Sequence, residues 1–241
     1  MRFFVDAPLP SRSEVTLPEE VAHHLVRVLR TDVGTRFRIF NGEGGSHGAE
    51  LIEAGKKSAR VQLLDFQADD QQSPLLTHLG QVMSRGERMD YAIQKATELG
   101  VTEITPLSSE RCELKLRGDD RAGKKTEHWR RIAISACEQC GRNRLPVIHE
   151  PQALDSWIAG VQSELKLVLV PAAARGLPAT AIRSVALLIG PEGGLSGPEI
   201  AAAQTAGFQP WQLGPRIFRT ETAPVAALAV LQSVFGDLRQ E

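Results

Sequence analysis

The run Val185-Ala-Leu-Leu-Ile189 constrains this chain more than any other segment. Five successive apolar residues leave no face for water, as in a strand of a parallel sheet covered on both sides by helices. The chain then reads Gly190-Pro-Glu-Gly-Gly-Leu-Ser196. Ser196 suits a helix N-cap, Glu199 completes a capping box, and Gly207 supplies the stop. The pattern predicts a strand, a glycine loop and a helix over Gly197–Ala206, with the helix amino end facing the loop. A second segment repeats the design. Leu213-Gly214 ends a strand, and Arg219-Thr-Glu-Thr222 enters a helix with Thr222 as N-cap and Pro224 in the first turn. Two backbone-rich loops at one end of a shared sheet make a pocket for a small ligand.

Phosphate is the first ligand to consider at a helix amino end. The first loop lacks the Gly-Lys-Ser/Thr ending of a phosphate-binding P-loop and the G-x-G-x-x-G spacing of a dinucleotide fold. Its added charge is Glu192, a poor companion for phosphate and a tolerable one for a cation or a ribose hydroxyl.

Strand-like and helix-like runs alternate on either side of these loops. Strands are expected at Thr77–Met83, Glu103–Leu107, Lys166–Val170, Ala186–Ile189 and Trp211–Leu213. Helices are expected at Arg88–Leu99, Lys124–Cys140, Ala153–Val161, Gly197–Ala206 and Ala223–Phe235. This order predicts an α/β domain on a parallel sheet. The first seventy residues differ. Short strands at Arg2–Val5, Glu14–Leu17, Thr35–Phe40, Ala49–Glu53 and Ala59–Phe66 surround one helix opened by Pro18, with the stripe Val21, Leu25, Val28, Leu29. That pattern suggests a small β-barrel. Asp69-Asp-Gln-Gln-Ser-Pro74 reads as a linker, so the expected division is residues 1–70 and 75–241.

Composition narrows the class. A hydrophobic content of 42% with 24% charged residues is ordinary for a globular protein. No apolar run reaches the length of a membrane span, and the amino terminus lacks the apolar core of a signal peptide. The expectation is a cytoplasmic protein without membrane association. The net charge of −1 hides a basic segment: residues 111–144 hold ten Lys/Arg and five acids. By charge alone this is either the footprint of a phosphate-rich partner or a solvated helix face. Cys137-x-x-Cys140 has no second pair to complete a zinc site and sits near a helix carboxyl end, which opposes a thiolate. Buried packing is the better reading, and no metal is expected. The histidines show no metal-ligand spacing, and the three tryptophans read as core.

Leu188-Ile-Gly-Pro-Glu-Gly-Gly-Leu195 and Leu213-Gly-Pro-Arg-Ile-Phe-Arg-Thr-Glu-Thr-Ala223 resemble the two signature segments of the SPOUT superfamily of knotted RNA methyltransferases, most closely its 16S rRNA uridine-N3 methyltransferases. His24-Leu-Val-Arg-Val-Leu-Arg30, Gln94-Lys-Ala-Thr-Glu-Leu-Gly100 and Glu138-Gln-Cys-Gly-Arg-Asn-Arg144 also fit, so the resemblance spans nearly the whole chain. It implies a PUA-like barrel, then an α/β domain with a trefoil knot, a feature that ordinary connection rules exclude. It implies S-adenosylmethionine (SAM) as cofactor, 16S rRNA in the small ribosomal subunit as partner, and a homodimer using the apolar last helix.

Carried onto this sequence, the resemblance places Val170, Ile189, Gly190, Glu192, Gly194, Leu195, Leu213, Gly214, Ile217, Phe218, Arg219, Thr220, Thr222 and Ala223 around the cofactor. RNA contacts are expected from His24, Arg27, Arg30, Arg111, Lys115, Arg142 and Arg144. Methyl transfer requires the nucleophile, methyl and leaving sulfur in line, and uridine N3 must lose its proton. Glu221 is the candidate base. The alternative is a guanidinium, from Arg219 or Arg142, that stabilises the uridine anion at its carbonyl oxygens.

Overall fold

The computed structural model describes residues 1–55, 58–112, 114, 119–171 and 176–239. The chain forms two compact units. The first comprises residues 1–72 together with 137–145, and the second 73–136 with 146–241.

The first unit is built on β1 (Arg2–Phe4), β2 (Glu14–Thr16), β3 (Arg36–Phe40), β4 (Ser46–Ala54) and β5 (Ala59–Gln67), with α1 (Glu19–His23) between β2 and β3. They form one mixed sheet in the order β1-β3-β4-β5-β2, with β1 parallel to β3 and the other pairs antiparallel. Register shifts between β4 and β5 add the local bend that lets a short sheet curl. Alternate residues Phe37, Ile39, Ala49, Leu51, Val61 and Leu63 face a common core.

The expected helical stripe is re-phased. The chain passes from α1 into a π-helical turn over His24–Val28, and the Leu29 amide bonds to His24 O at 3.0 Å. The wider turn rotates the succeeding side chains about the helix axis. Ala22 and Leu25 are buried, while Val28 and Leu29 lie exposed. The expected linker is also packed. The Asp70 carboxylate accepts from the Gly45 amide and pairs with Arg144 at 2.7 Å. Residues 137–145 close the unit: the Phe4 amide donates to Glu138 Oε1 at 2.8 Å, and Arg2 donates to Gly141 O at 3.0 Å.

The second unit contains β6 (Leu76–Val82), α2 (Glu87–Glu98), β7 (Glu103–Ser108), most of α3 (Asp119–Cys140), β8 (Val147–Ile148), β9 (Gln152–Ala153), α4 (Leu154–Gly160), β10 (Leu165–Leu169), β11 (Ser184–Ile189), α5 (Gly197–Thr205), β12 (Gln209–Trp211) and α6 (Thr222–Phe235). The parallel sheet runs β12-β10-β11-β6-β7-β8, and β9 also pairs with β7. β11 lies between β10 and β6 with Val185 to Ile189 all buried, as its unbroken apolar run requires. The chain moves outward from β6 to β8, then returns to insert β11 beside β6. The crevice at such a reversal, at the carboxyl ends of the strands, is where open α/β sheets bind ligands.

Two local features position that end. At α5 the capping box forms: the Ser196 amide donates to Glu199 Oε2 at 2.8 Å, and the Glu199 amide reaches Ser196 Oγ at 3.4 Å. At α6 the expected Thr222 cap does not form. Glu221 occupies the cap position in helical conformation without a side-chain bond, and the Thr222 and Ala223 amides both donate to Arg219 O. Helix entry is therefore organised by a backbone carbonyl, and Thr222 is exposed. Gln232 on α6, fully buried, donates to Leu99 O at 2.9 Å and accepts from Ser73 Oγ at 2.6 Å.

Candidate active site

Strand register brings the two glycine segments together. Ile189 pairs with Gln81 across β11 and β6, and Leu169 pairs with Trp211 across β10 and β12. The loops that leave these strands enclose a cavity of about 910 Å³. Its walls include Val170, Ile189, Gly190, Glu192, Gly194, Leu195, Leu213, Ile217, Phe218, Arg219, Thr220, Glu221 and Ala223. Gly214 and Thr222 do not line it. Gly214 forms an exposed turn at φ +64°, a left-handed conformation that glycine adopts at little cost.

One buried hydroxyl joins the loops. Thr220 Oγ1 donates to Gly190 O at 2.9 Å and accepts from Gln81 Nε2 at 3.1 Å. Gly190 is crowded: a Cβ there would lie 3.1 Å from the Leu195 amide nitrogen. The first loop is also tied from outside. The Arg111 guanidinium donates to Gly193 O at 2.9 Å, and the Glu110 amide donates to Glu199 Oε1 at 2.8 Å. Glu199 thus caps α5 with one oxygen and fixes the loop after β7 with the other.

The charges divide unequally. Glu192 pairs with Arg88 at 2.7 Å on the pocket wall, with both side chains partly exposed. Glu221 differs: its Oε2 is shut off from solvent and has no hydrogen-bond partner among the described residues. A buried carboxylate oxygen without a donor is costly by itself and suits a site that receives a cationic or hydrogen-donating ligand. Ile217 is 82% exposed at the pocket's edge. Arg219 is exposed.

Sequence reasoning missed Arg88, Leu169, Pro171, Gln212 and Ile200, which also line the cavity. Arg88 had a usable signal, since it opens the helix that comes after β6, and β6 is the neighbour of β11. The expected RNA-contacting residues are dispersed. His24, Arg27 and Arg30 are exposed on the first unit. Arg144 is half exposed and paired with Asp70. Arg142 is only 3% exposed and donates to Gln72 Oε1 at 3.3 Å, so its guanidinium is not presented to solvent. Lys115 lies outside the described residues.

Long-range folding gathers one titratable cluster that spacing did not show. His78, Glu103 and His149 meet at the amino ends of β6 and β7 and just after β8, the opposite end of the sheet from the pocket. His149 Nε2 lies 2.7 Å from Glu103 Oε2. The Trp157 indole N–H, which can only donate, bonds His78 Nε2 at 3.2 Å. Thr105 Oγ1 lies 2.8 Å from the same nitrogen, and with Nε2 accepting from Trp157 the neutral ring carries its proton on Nδ1, 3.8 Å from Glu103 Oε2. Burial holds the His78 pKa down at about 4 against the opposing pull of Glu103. Cys137 is buried and its thiol is pushed up to about 12 by burial, in keeping with a packing role.

This fold and site define a class. Residues 71–232 match the family model of the RNA methyltransferase domain, and residues 17–64 that of the RNA methyltransferase PUA domain. Ribosomal RNA small subunit methyltransferase E of Buchnera aphidicola (subsp. Schizaphis graminum) is 40% identical, with 98% of this chain and 97% of the relative covered. The protein of that name from Bacillus subtilis is 28% identical, with 95% of each chain covered. A Legionella pneumophila methyltransferase solved with bound SAM superposes with a TM-score of 0.94 at 40% identity, covering 98% of each chain. Ribosomal RNA small subunit methyltransferase E of Neisseria gonorrhoeae, bound to S-adenosyl methionine, gives 0.91 at 38% identity, again covering 98% of each. The chain belongs to the ribosomal RNA small subunit methyltransferase E family.

Proposed function

We propose that this chain uses SAM to methylate N3 of a specific uridine in the 16S rRNA of the small ribosomal subunit. The observation that carries the reading is the two-loop pocket, which joins backbone polar groups to a buried carboxylate oxygen without a partner among the described residues. Its donor set fits the cofactor. Backbone amides and carbonyls of Ile189–Leu195 and Leu213–Phe218 suit the adenosine edge and ribose, and Val170 the aliphatic side. Arg88 already neutralises Glu192, which leaves Glu221 as the acid for the proton-accepting role. Bound there, SAM supplies an electrophilic methyl group and a neutral thioether leaving group.

The chain's own residues then have two tasks: positioning, and removal of the N3 proton. Glu221 accepts the proton in this reading. Arg219, exposed on the pocket wall, is the guanidinium placed to stabilise the uridine anion, while burial makes Arg142 the weaker candidate. His24, Arg27, Arg30, Arg111, Lys115 and Arg144 contribute RNA contacts, which position the strand without reading its sequence. We assign RNA binding to residues 1–70 and catalysis to 75–241. The family resemblance supports a chain threaded as a knot. Val230 and Val234, exposed on α6, support a homodimer through that helix. Among the described residues no helix is long and apolar enough to cross a membrane, which agrees with action in the cytoplasm.

The test is transfer of labelled methyl from SAM to small ribosomal subunits, with nucleoside analysis of the product. 3-Methyluridine is the expected result. Label at another base would redirect the reading, and SAM binding without incorporation would reduce the chain to a binding module. Glu221→Gln should retain SAM binding within about threefold and lose turnover by about 10²-fold or more. Wild-type turnover in that variant removes Glu221 as the base.

A further inference from the structure

The first unit holds a cavity that methyl transfer does not use. It measures about 360 Å³, within the ~300–1,000 Å³ range of small-molecule sites. The Pro8–Pro10 segment forms one side, and Gly44, Gly45, His47 and Phe66 form another. The β4–β5 register sets His47 directly opposite Phe66, with ring centroids 4.9 Å apart.

Two features of this cavity are unfavourable by themselves. Phe66 is 52% exposed, unlike the other aromatic residues of the sheet. His47 is only 6% exposed, and its Nδ1 is closed to solvent with no hydrogen-bond partner among the described residues. Burial and the nearby Arg38 charge hold the His47 pKa below its ordinary value, so the ring is neutral at pH 7 and can donate or accept according to tautomer. The loop is shaped to hold the aromatic ring in place. Gly45 has φ +66°, and a Cβ there would collide with the Phe66 ring. A Cβ on Gly44 would meet the Arg144 guanidinium, which Asp70 holds in an ion pair at 2.7 Å. An exposed apolar platform beside a buried, unpartnered polar atom matches a flat heteroaromatic ring with a polar edge. An unpaired base of single-stranded RNA has that form.

We propose that this cavity takes one unpaired nucleobase of the bound RNA, stacked on Phe66 with an edge hydrogen-bonded to His47 Nδ1. The proposal rests on the reading of the chain as an RNA-modifying enzyme. It gives base stacking a definite place in a chain whose aromatic content is only 5%.

The test uses the full chain and a short fluorescent single-stranded RNA, with affinity read by anisotropy. Phe66→Leu keeps an apolar side chain and removes the aromatic face; it should weaken binding by about fivefold or more. Phe66→Tyr keeps the face and should stay within about twofold of wild type. Photo-crosslinking of 4-thiouridine RNA to the wild-type protein gives a second readout that does not depend on variant folding. Crosslinks are expected at Phe66 or His47. Wild-type affinity in Phe66→Leu, or crosslinks confined to other segments, overturns the pocket while leaving the methyltransferase reading intact. A wild-type chain that binds no RNA and methylates none overturns both.

Discussion

Removing the Thr220 hydroxyl tests whether one side chain fastens the two pocket loops. Thr220→Val preserves shape, so no cavity is created and the loss is confined to hydrogen bonds. Two are lost: the donation to Gly190 O at 2.9 Å and the acceptance from Gln81 Nε2 at 3.1 Å. Gln81 is 1% exposed and keeps its bond to Val82 O, so its amide loses one of two acceptors with no water to replace it. An uncompensated buried polar group costs ~1–3 kcal/mol. Gly190 is half-buried, so its carbonyl recovers part of its bonding from solvent, and its share is ~0.5–1.5 kcal/mol. The expected loss is therefore ~2–4 kcal/mol, or a fall in Tm on the order of 10 °C for a unit of this size. Thr220→Ser keeps the hydroxyl and removes one methyl, a loss of ~1 kcal/mol. Trp129, Trp157 and Trp211 all lie in the second unit, so tryptophan fluorescence during guanidinium denaturation reports that unit alone. Unchanged stability in Thr220→Val, or equal damage from Thr220→Ser, would refute the reasoning. With the loops loosened, SAM affinity should also fall by about tenfold in Thr220→Val, read by titration calorimetry.

Two further outcomes rest on the packing of the second unit. Gly80→Ala places a Cβ 2.5–2.8 Å from the six-membered ring of Trp157 and should cost ~1–3 kcal/mol in urea denaturation. Paired with Trp157→Leu it should cost clearly less than the two single changes added together. His78, with a folded pKa of about 4 against an ordinary 6.5, stays neutral in the native state while the unfolded chain takes up its proton below pH 6.5. Stability should therefore fall as pH drops from 6.5 towards 4, by at most about 3 kcal/mol from this group. His78→Gln should flatten that part of the curve, and an unaltered pH profile would count against it.

Apart from the two-residue strands β8 and β9, which were not expected, the strand and helix order of the second unit was legible because each longer element carries its own local pattern. β11 shows unbroken apolarity, α5 a capping box and a glycine stop, and α3 the buried positions Trp129, Ala133, Ala136 and Cys137 at helical spacing. Element ends fell within a few residues of expectation, apart from the amino end of α3, which begins at Asp119. Contacts between distant segments were not legible. Nothing in Cys137–Leu145 records that it packs with the first seventy residues, because Glu138 and Gly141 meet Phe4 and Arg2 only across more than a hundred residues of chain. The π-helical turn was hidden for a different reason. Its residues His24–Val28 carry no Gly or Pro to mark a break in the helix, so the wider turn leaves no signal in the sequence.

The same distinction separates what the glycine loops disclosed from what they did not. Glycines, caps and strand ends are backbone signals, so they marked where a ligand can approach. They could not state which charges remain available there. Glu192 and Glu221 are equivalent as letters, each within a few residues of a loop glycine or a helix start. Arg88, one strand away in the sheet and more than a hundred residues away in sequence, pairs with Glu192. Glu221 keeps an oxygen that is buried and without a donor among the described residues. That difference in partners, which neither loop's sequence records, separates the two acids. If Arg88 is what separates the two acids, Arg88→Ala should free Glu192, and Glu221→Gln should then cost less turnover in the Arg88→Ala background than in the wild type. A double change of Arg88 and Glu221 that retained activity through Glu192 would show the roles to be exchangeable.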